Sequence, residues 1–158
     1  MKTQKLIDIT LLITRVAVGI TVAAHGAQKL FGWFGGYGFE GTMGFFTETV
    51  GLPYLVALLI ILAESLGMVA LALGFLSRLW SVSLMLIMIG AIVTAHFEHG
   101  FFMNWSGSQG GEGYEFHLLI IALSLVTTLN GPGVYSLDYW IRMKFLTKET
   151  PPTEASLG

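Results

Sequence analysis

The chain has 158 residues, one domain's worth, with 54% hydrophobic and only 11% charged residues and a mean hydropathy of +0.72. A soluble domain carries about 25% charged residues, so this composition excludes a water-coated globule and reads as a polytopic, all-α membrane protein. A net charge of −2 with no basic stripe argues against nucleic acid as a partner, and the lack of any cysteine excludes disulfides, thiolate nucleophiles and iron–sulfur ligation, so that electron transfer needs a bound cofactor or a quinone.

The first apolar segment, Ile7 to Leu30, reaches roughly 36 Å at ~1.5 Å per residue, enough to cross a bilayer with some tilt. Lys2 and Lys5 ahead of it and Ala23-Ala24-His25 near its end imitate a signal peptide. The length of the run, with Asp8 and Arg15 inside it, points instead to an uncleaved first span. His25 and Lys29 are four residues apart and share a face. Phe31 to Pro53 is a glycine- and aromatic-rich connection, either a membrane-hugging loop or a substrate lid. Trp33, Phe34, Tyr37 and Phe39 suit the headgroup level, and Thr42 to Val50 suits a short interfacial helix.

Span two runs from Tyr54 to Leu76 with one charge, Glu64. Span three runs from Leu79 to Phe97, is rich in Met and Leu that suit packing, and ends at His96, Glu98 and His99. Ser106 to Gly113 is a polar loop. Span four runs from Phe116 to Leu129, entered by Glu115 and His117 and stopped by Gly131-Pro132-Gly133. Tyr139 to Leu146 mixes aromatic, apolar and basic residues, which suits a helix lying in the interface. Thr147 to Gly158 reads as a disordered tail. The expected architecture is therefore an antiparallel four-helix membrane bundle over residues 1–146 and a tail over 147–158. The small-residue faces Gly19/Ala23 and Ala63/Gly67 can serve packing within that bundle or between copies in an oligomer.

Lysine and arginine set the orientation. Lys2, Lys5, Arg78, Arg142, Lys144 and Lys148 flank one side and only Lys29 the other, which places both termini in the cytoplasm of a bacterial inner membrane. All four histidines then gather at the outer face.

Ionisable groups inside a bilayer cost roughly 2.5–3.5 kcal/mol each and need a partner or a purpose. Arg15 and Glu64 differ in depth by about 6 Å if counted from the inner ends of their spans, which predicts an intramembrane ion pair. His25, Lys29, His96 and Glu115 can converge where helix mouths meet. That set suits a quinone headgroup, with His and Lys donating hydrogen bonds and Glu relaying protons. His25, His96 and Glu115 could hold a metal, and two histidines could ligate haem, although no metal-spacing motif is present. Glu98, His99, Glu112 and His117 read as residents of the wet headgroup zone.

Arg15, Gly19, His25-Gly26, Lys29-Leu30, Gly51-Leu52-Pro53, Glu64, Leu73-Gly74-Phe75-Leu76, Arg78, His96, Glu115, Leu118-Leu119 and Gly131-Pro-Gly-Val-Tyr-Ser-Leu-Asp138 occur in an order that resembles the DoxX family of small four-helix membrane proteins. The resemblance covers about residues 8 to 142. It implies a link to quinone-dependent membrane oxidoreductases and to redox stress, and it adds weight to Arg15, His25, Lys29, Glu64, His96, Glu115 and Asp138. Three functions are compatible with it. One is a quinone-linked oxidoreductase component, and another is a non-enzymatic subunit that docks a partner protein on the loops Phe31–Pro53 and Gly100–Gly113. The third, ranked last for want of an inverted repeat, is a small-molecule carrier.

Overall fold

The computed structural model describes residues 2–146, and these are helical wherever they are regular. The expected tail at 147–158 lies outside the described residues. Helix α1 spans Lys2–Phe31. A glycine-rich turn leads to α2, Gly38–Gly44, which runs on into a π-helical turn over Phe45–Thr49. Helices α3 (Tyr54–Leu73) and α4 (Ser77–His99) follow, then α5 (Glu115–Asn130) and α6 (Leu137–Leu146). Helices α1, α3 and α4 are long and apolar enough to cross a membrane, while α5 is apolar but shorter. Its 16 residues reach about 24 Å against a hydrocarbon core of about 30 Å.

The long helices pack antiparallel. His25 of α1 meets Phe116 at the start of α5, while Asp8 accepts the Val134 N–H beyond its other end. His96 of α4 lies on His117 of α5, and Arg78 reaches the Leu129 carbonyl at the opposite end. One end of the bundle thus carries histidines and the other, here termed the base, carries turns. Between them Val18, Val22, Met68, Leu71, Leu84, Met88 and Ile120 form the core. Gly19 lies against the Met68 carbonyl and Ala72, and Gly67 against the Trp80 ring. Both small-residue faces are therefore used inside the bundle.

The base explains the motif that ends in Asp138. Helix α3 stops at Leu73 rather than Leu76 because Gly74 turns left-handed at φ +77°, a cap that glycine adopts without steric cost. Leu76 is also left-handed, at φ +50°. The Asp138 carboxylate holds that strained turn. It accepts the N–H groups of Leu76 and Ser77 at 2.8 and 2.9 Å and the Ser77 hydroxyl, so it caps α4 across 61 residues of sequence.

Arg15 completes the base and corrects the expected Arg15–Glu64 pair. Its side chain is 1% exposed, and its guanidinium donates to the carbonyls of Pro132, at 2.7 Å, and Tyr135. The depth count failed because it took the helices as flush rods. Arg15 is level with Gly74, where an added Cβ would strike the guanidinium. Glu64 lies ten residues further along α3, about 15 Å away at ~1.5 Å per residue.

Candidate functional site

The histidine end is built around a close approach. Gly26 of α1 rests on the backbone of Glu64 and Ser65, where any Cβ would collide with the Glu64 carbonyl. One turn further on, Lys29 turns back and forms an ion pair with Glu64. Their side chains are 28% and 4% exposed, so the carboxylate is buried and the ammonium reaches the rim. The pair lies below the end of α3 because α2 folds back over it. Met43 packs with Ala57 and Ile61, and Leu30, Phe39 and Phe46 close around them. Glu64 itself lies in a π-helical turn, Ala63–Gly67, and His96 ends another, Ile92–His96. Such turns widen the helix locally and recur at functional sites.

A cavity of about 280 Å³ opens beside the ion pair, lined by His25, Lys29, Glu64, His96, Phe116 and His117 among others. Three histidines thus arrive from α1, α4 and α5. The rings of His96 and His117 are 4.2 Å apart between centroids. His96 Nδ1 lies 2.8 Å from the Glu112 carbonyl, an acceptor only, so Nδ1 donates there and Nε2 is left without a hydrogen-bond partner among the described residues. His25 Nδ1 lies 3.1 Å from Gln28 Oε1. His117 is 8% exposed, and its Nδ1 has no hydrogen-bond partner among the described residues. A buried polar atom left unmatched costs about 1–3 kcal/mol, and among the described residues His117 Nδ1 shares this state with Arg15 Nε, Trp80 Nε1, Ser81 Oγ and Ser124 Oγ. A larger cleft of about 490 Å³ lies between α1 and α2, but Lys29 is its one ionisable side chain apart from Tyr37.

Of the four expected site residues, His25, Lys29 and His96 line the cavity and Glu115 does not. Glu115 accepts the Met103 N–H at 3.1 Å and the Trp105 indole N–H at 3.4 Å, fastening the loop ahead of α5. The metal set His25, His96 and Glu115 is therefore not assembled. Among the described residues no three His, Asp or Glu side chains stand together as a metal would require. Glu112 fastens the same loop by accepting the Asn104 N–H, and His99 faces Glu98 at 3.6 Å.

Glu64, expected opposite Arg15, and His117, expected in the headgroup zone, both line the cavity instead. The signal for His117 was its helical stripe. His117, Ile120, Ser124 and Thr127 all face inward on α5 at spacings of three and four. Glu115, two residues earlier, lies about 200° around the same helix.

Three long apolar helices, a shorter fourth packed among them, and a cavity edged by ionisable side chains below one end define a multi-pass helical membrane protein. Comparison with known proteins makes the assignment specific. The DoxX family model matches residues 10–97, a stretch that holds His25, Lys29, Glu64 and His96. The protein named Putative oxidoreductase CatD from Bacillus subtilis (strain 168) is 31% identical over 138 residues, 87% of this chain and 91% of that protein. The Inner membrane protein YqjF from Escherichia coli (strain K12) is 29% identical over 146 residues, 90% of this chain and 99% of its own length. No solved structure gives a significant match. The chain belongs to the DoxX family and is a multi-pass protein of the inner membrane.

Proposed function

We propose that the chain is a quinone-linked component of a membrane oxidoreductase system and that the quinone headgroup binds among His25, Lys29, Glu64, His96 and His117. The observation that carries this reading is the convergence of three histidines from separate helices with the Lys29–Glu64 ion pair on one cavity. At about 280 Å³ the cavity is near the lower end of the ~300–1,000 Å³ range of small-molecule pockets, which suits a single ring. Quinone carbonyls only accept hydrogen bonds, and Lys29 and a protonated His117 nitrogen supply donors. Reduction turns those carbonyls into hydroxyls that must donate, and Glu64 and the Nε2 lone pair of His96 then accept. The two electrons come from a reduced redox cofactor on a partner subunit, and the two protons come from water at the rim, which the Lys29 ammonium reaches. The name of the CatD relative is in keeping with redox chemistry.

The partner subunit docks on the loop after α4, where Phe102 and Trp105 are exposed. In this reading both termini are cytoplasmic and this loop is outside, which the Lys/Arg distribution supports, and the mixed aromatic and basic residues of α6 suit the interface. The test is quinone carried through gentle purification. His117→Leu removes an unmatched buried nitrogen without changing much volume, so it should preserve or raise the melting temperature while losing the quinone. Lys29→Ala with His96→Ala should lose it too, and Glu115→Ala should keep it. Full retention by His117→Leu and by the double variant would overturn the proposal.

A further inference from the structure

The headgroup cavity has a side door. Helices α3 and α4 touch from Ala63 towards the base, where Gly67 lies on the Trp80 ring. Towards the histidine end they part, and Tyr54–Leu62 scarcely touches α4. The gap is a second cavity of about 200 Å³, with Ile60 on one wall, Ile87 and Thr94 on the other, and Phe45 and Phe46 across the top. It shares Lys29, Glu64, Ala91 and His96 with the headgroup cavity, so the two adjoin across these side chains. Its walls are apolar away from that shared end. The Thr94 hydroxyl is already bonded to the Gly90 carbonyl at 2.9 Å, which leaves its methyl as free surface. Thr94 and Phe45 are exposed on the flank of the bundle, where a membrane protein meets acyl chains. All three π-helical turns border this gap, through Phe45 and Phe46, through Glu64, and through Thr94, Ala95 and His96.

We propose that the parting of α3 and α4 is a lateral portal and tail groove, so that the site takes a polyisoprenyl quinone directly from the bilayer. This rests on the quinone reading and adds the class of quinone and its route. The ring passes sideways to Lys29 and Glu64. The first isoprene units stay in the groove against Ile60, Ile87 and Thr94, and the remaining tail lies in lipid. A water-soluble quinone would need neither a lipid-side opening nor an apolar extension of the cavity.

The experiment measures binding of two benzoquinones with the same ring substituents, one carrying four isoprene units and one with no tail, to the full chain in nanodiscs. Thr94→Trp fills the groove without touching the headgroup cavity, and Ile60→Trp fills it from the facing wall. Melting temperatures near wild type identify folded variants. Each substitution should weaken the tailed quinone about tenfold or more while leaving the tailless one within about twofold. If both ligands weaken together, or if neither does, the portal is wrong and the quinone site stands. If the Trp variants shed co-purified phospholipid while their affinity for the tailed quinone is unchanged, the groove holds an acyl chain and the portal is again wrong. If wild-type protein binds neither quinone, the quinone reading falls and the portal falls with it.

Discussion

Whether Glu64 answers to Lys29 or to Arg15 can be decided by double-mutant cycles. Lys29→Met strands a carboxylate that is 4% exposed, and removing one partner of a buried pair costs about 3–5 kcal/mol. Because Lys29 itself is 28% exposed and its ammonium reaches the rim, about 3 kcal/mol is the appropriate end of that range. For a chain of this length that is a fall in melting temperature of about 6–12 °C. Glu64→Met leaves an ammonium that can still reach the neighbouring clefts, so its cost should be smaller, about 1 kcal/mol. The Lys29→Met/Glu64→Met double variant should recover to about that same level, giving a coupling of about 2–3 kcal/mol. Arg15→Met should be costly as well, but it should add to Glu64→Met within about 0.5 kcal/mol because the two sites share no partner. Reversible unfolding in mixed detergent micelles measures all of these. Strong coupling of Arg15 with Glu64, together with additivity of Lys29 and Glu64, would refute the arrangement at both ends of the bundle.

Gly26→Ala places a methyl group into the Glu64 carbonyl, so α1 and α3 must move apart. Melting should report a loss of about 1–3 kcal/mol, and the displaced Lys29 should release bound quinone. Asp138→Ala removes three hydrogen bonds from the left-handed turn ahead of α4, and should cost about 2 kcal/mol while the folded fraction keeps its quinone. Quinone loss from folded Asp138→Ala protein would show that the base is coupled to the site.

The spans were legible because hydropathy and helix stops are local. Leu62 continues an apolar run wherever α1 lies, and Gly131-Pro132-Gly133 ends α5 by backbone chemistry alone. Even so, the end of α3 was placed three residues late, because Phe75 and Leu76 are apolar and nothing in the neighbouring residues shows that Asp138, 62 positions from Leu76, holds the turn. The partners of the charged groups were not legible, since they depend on how far each helix slides along its neighbour. Arg15 was matched to Glu64 on the assumption of level ends, and Lys29 was assigned to an open mouth. The sequence has no local mark for α2 folding back over Lys29 or for the extra residue that each π-helical turn inserts.

The same slide separates what the Gly131–Asp138 motif does from what the cavity does. Gly131 to Asp138 is the most distinctive stretch of the chain, and it is spent on structure: Pro132 and Tyr135 hold Arg15, and Asp138 holds Leu76 and Ser77. The cavity is assembled from single residues on separate helices, His25, Lys29, Glu64, His96 and His117, with no motif of their own. An arginine buried at 1% exposure and spent on carbonyls fixes the height of α1 against both turns of the base. Gly19 on Met68 and Gly26 on Glu64 hold the same height, so α1 keeps Lys29 within reach of Glu64 through several contacts at once. A shift of one helical turn is about 5.4 Å, larger than any ion-pair contact, so a base that slips by one turn would dismantle the site without altering any residue in it.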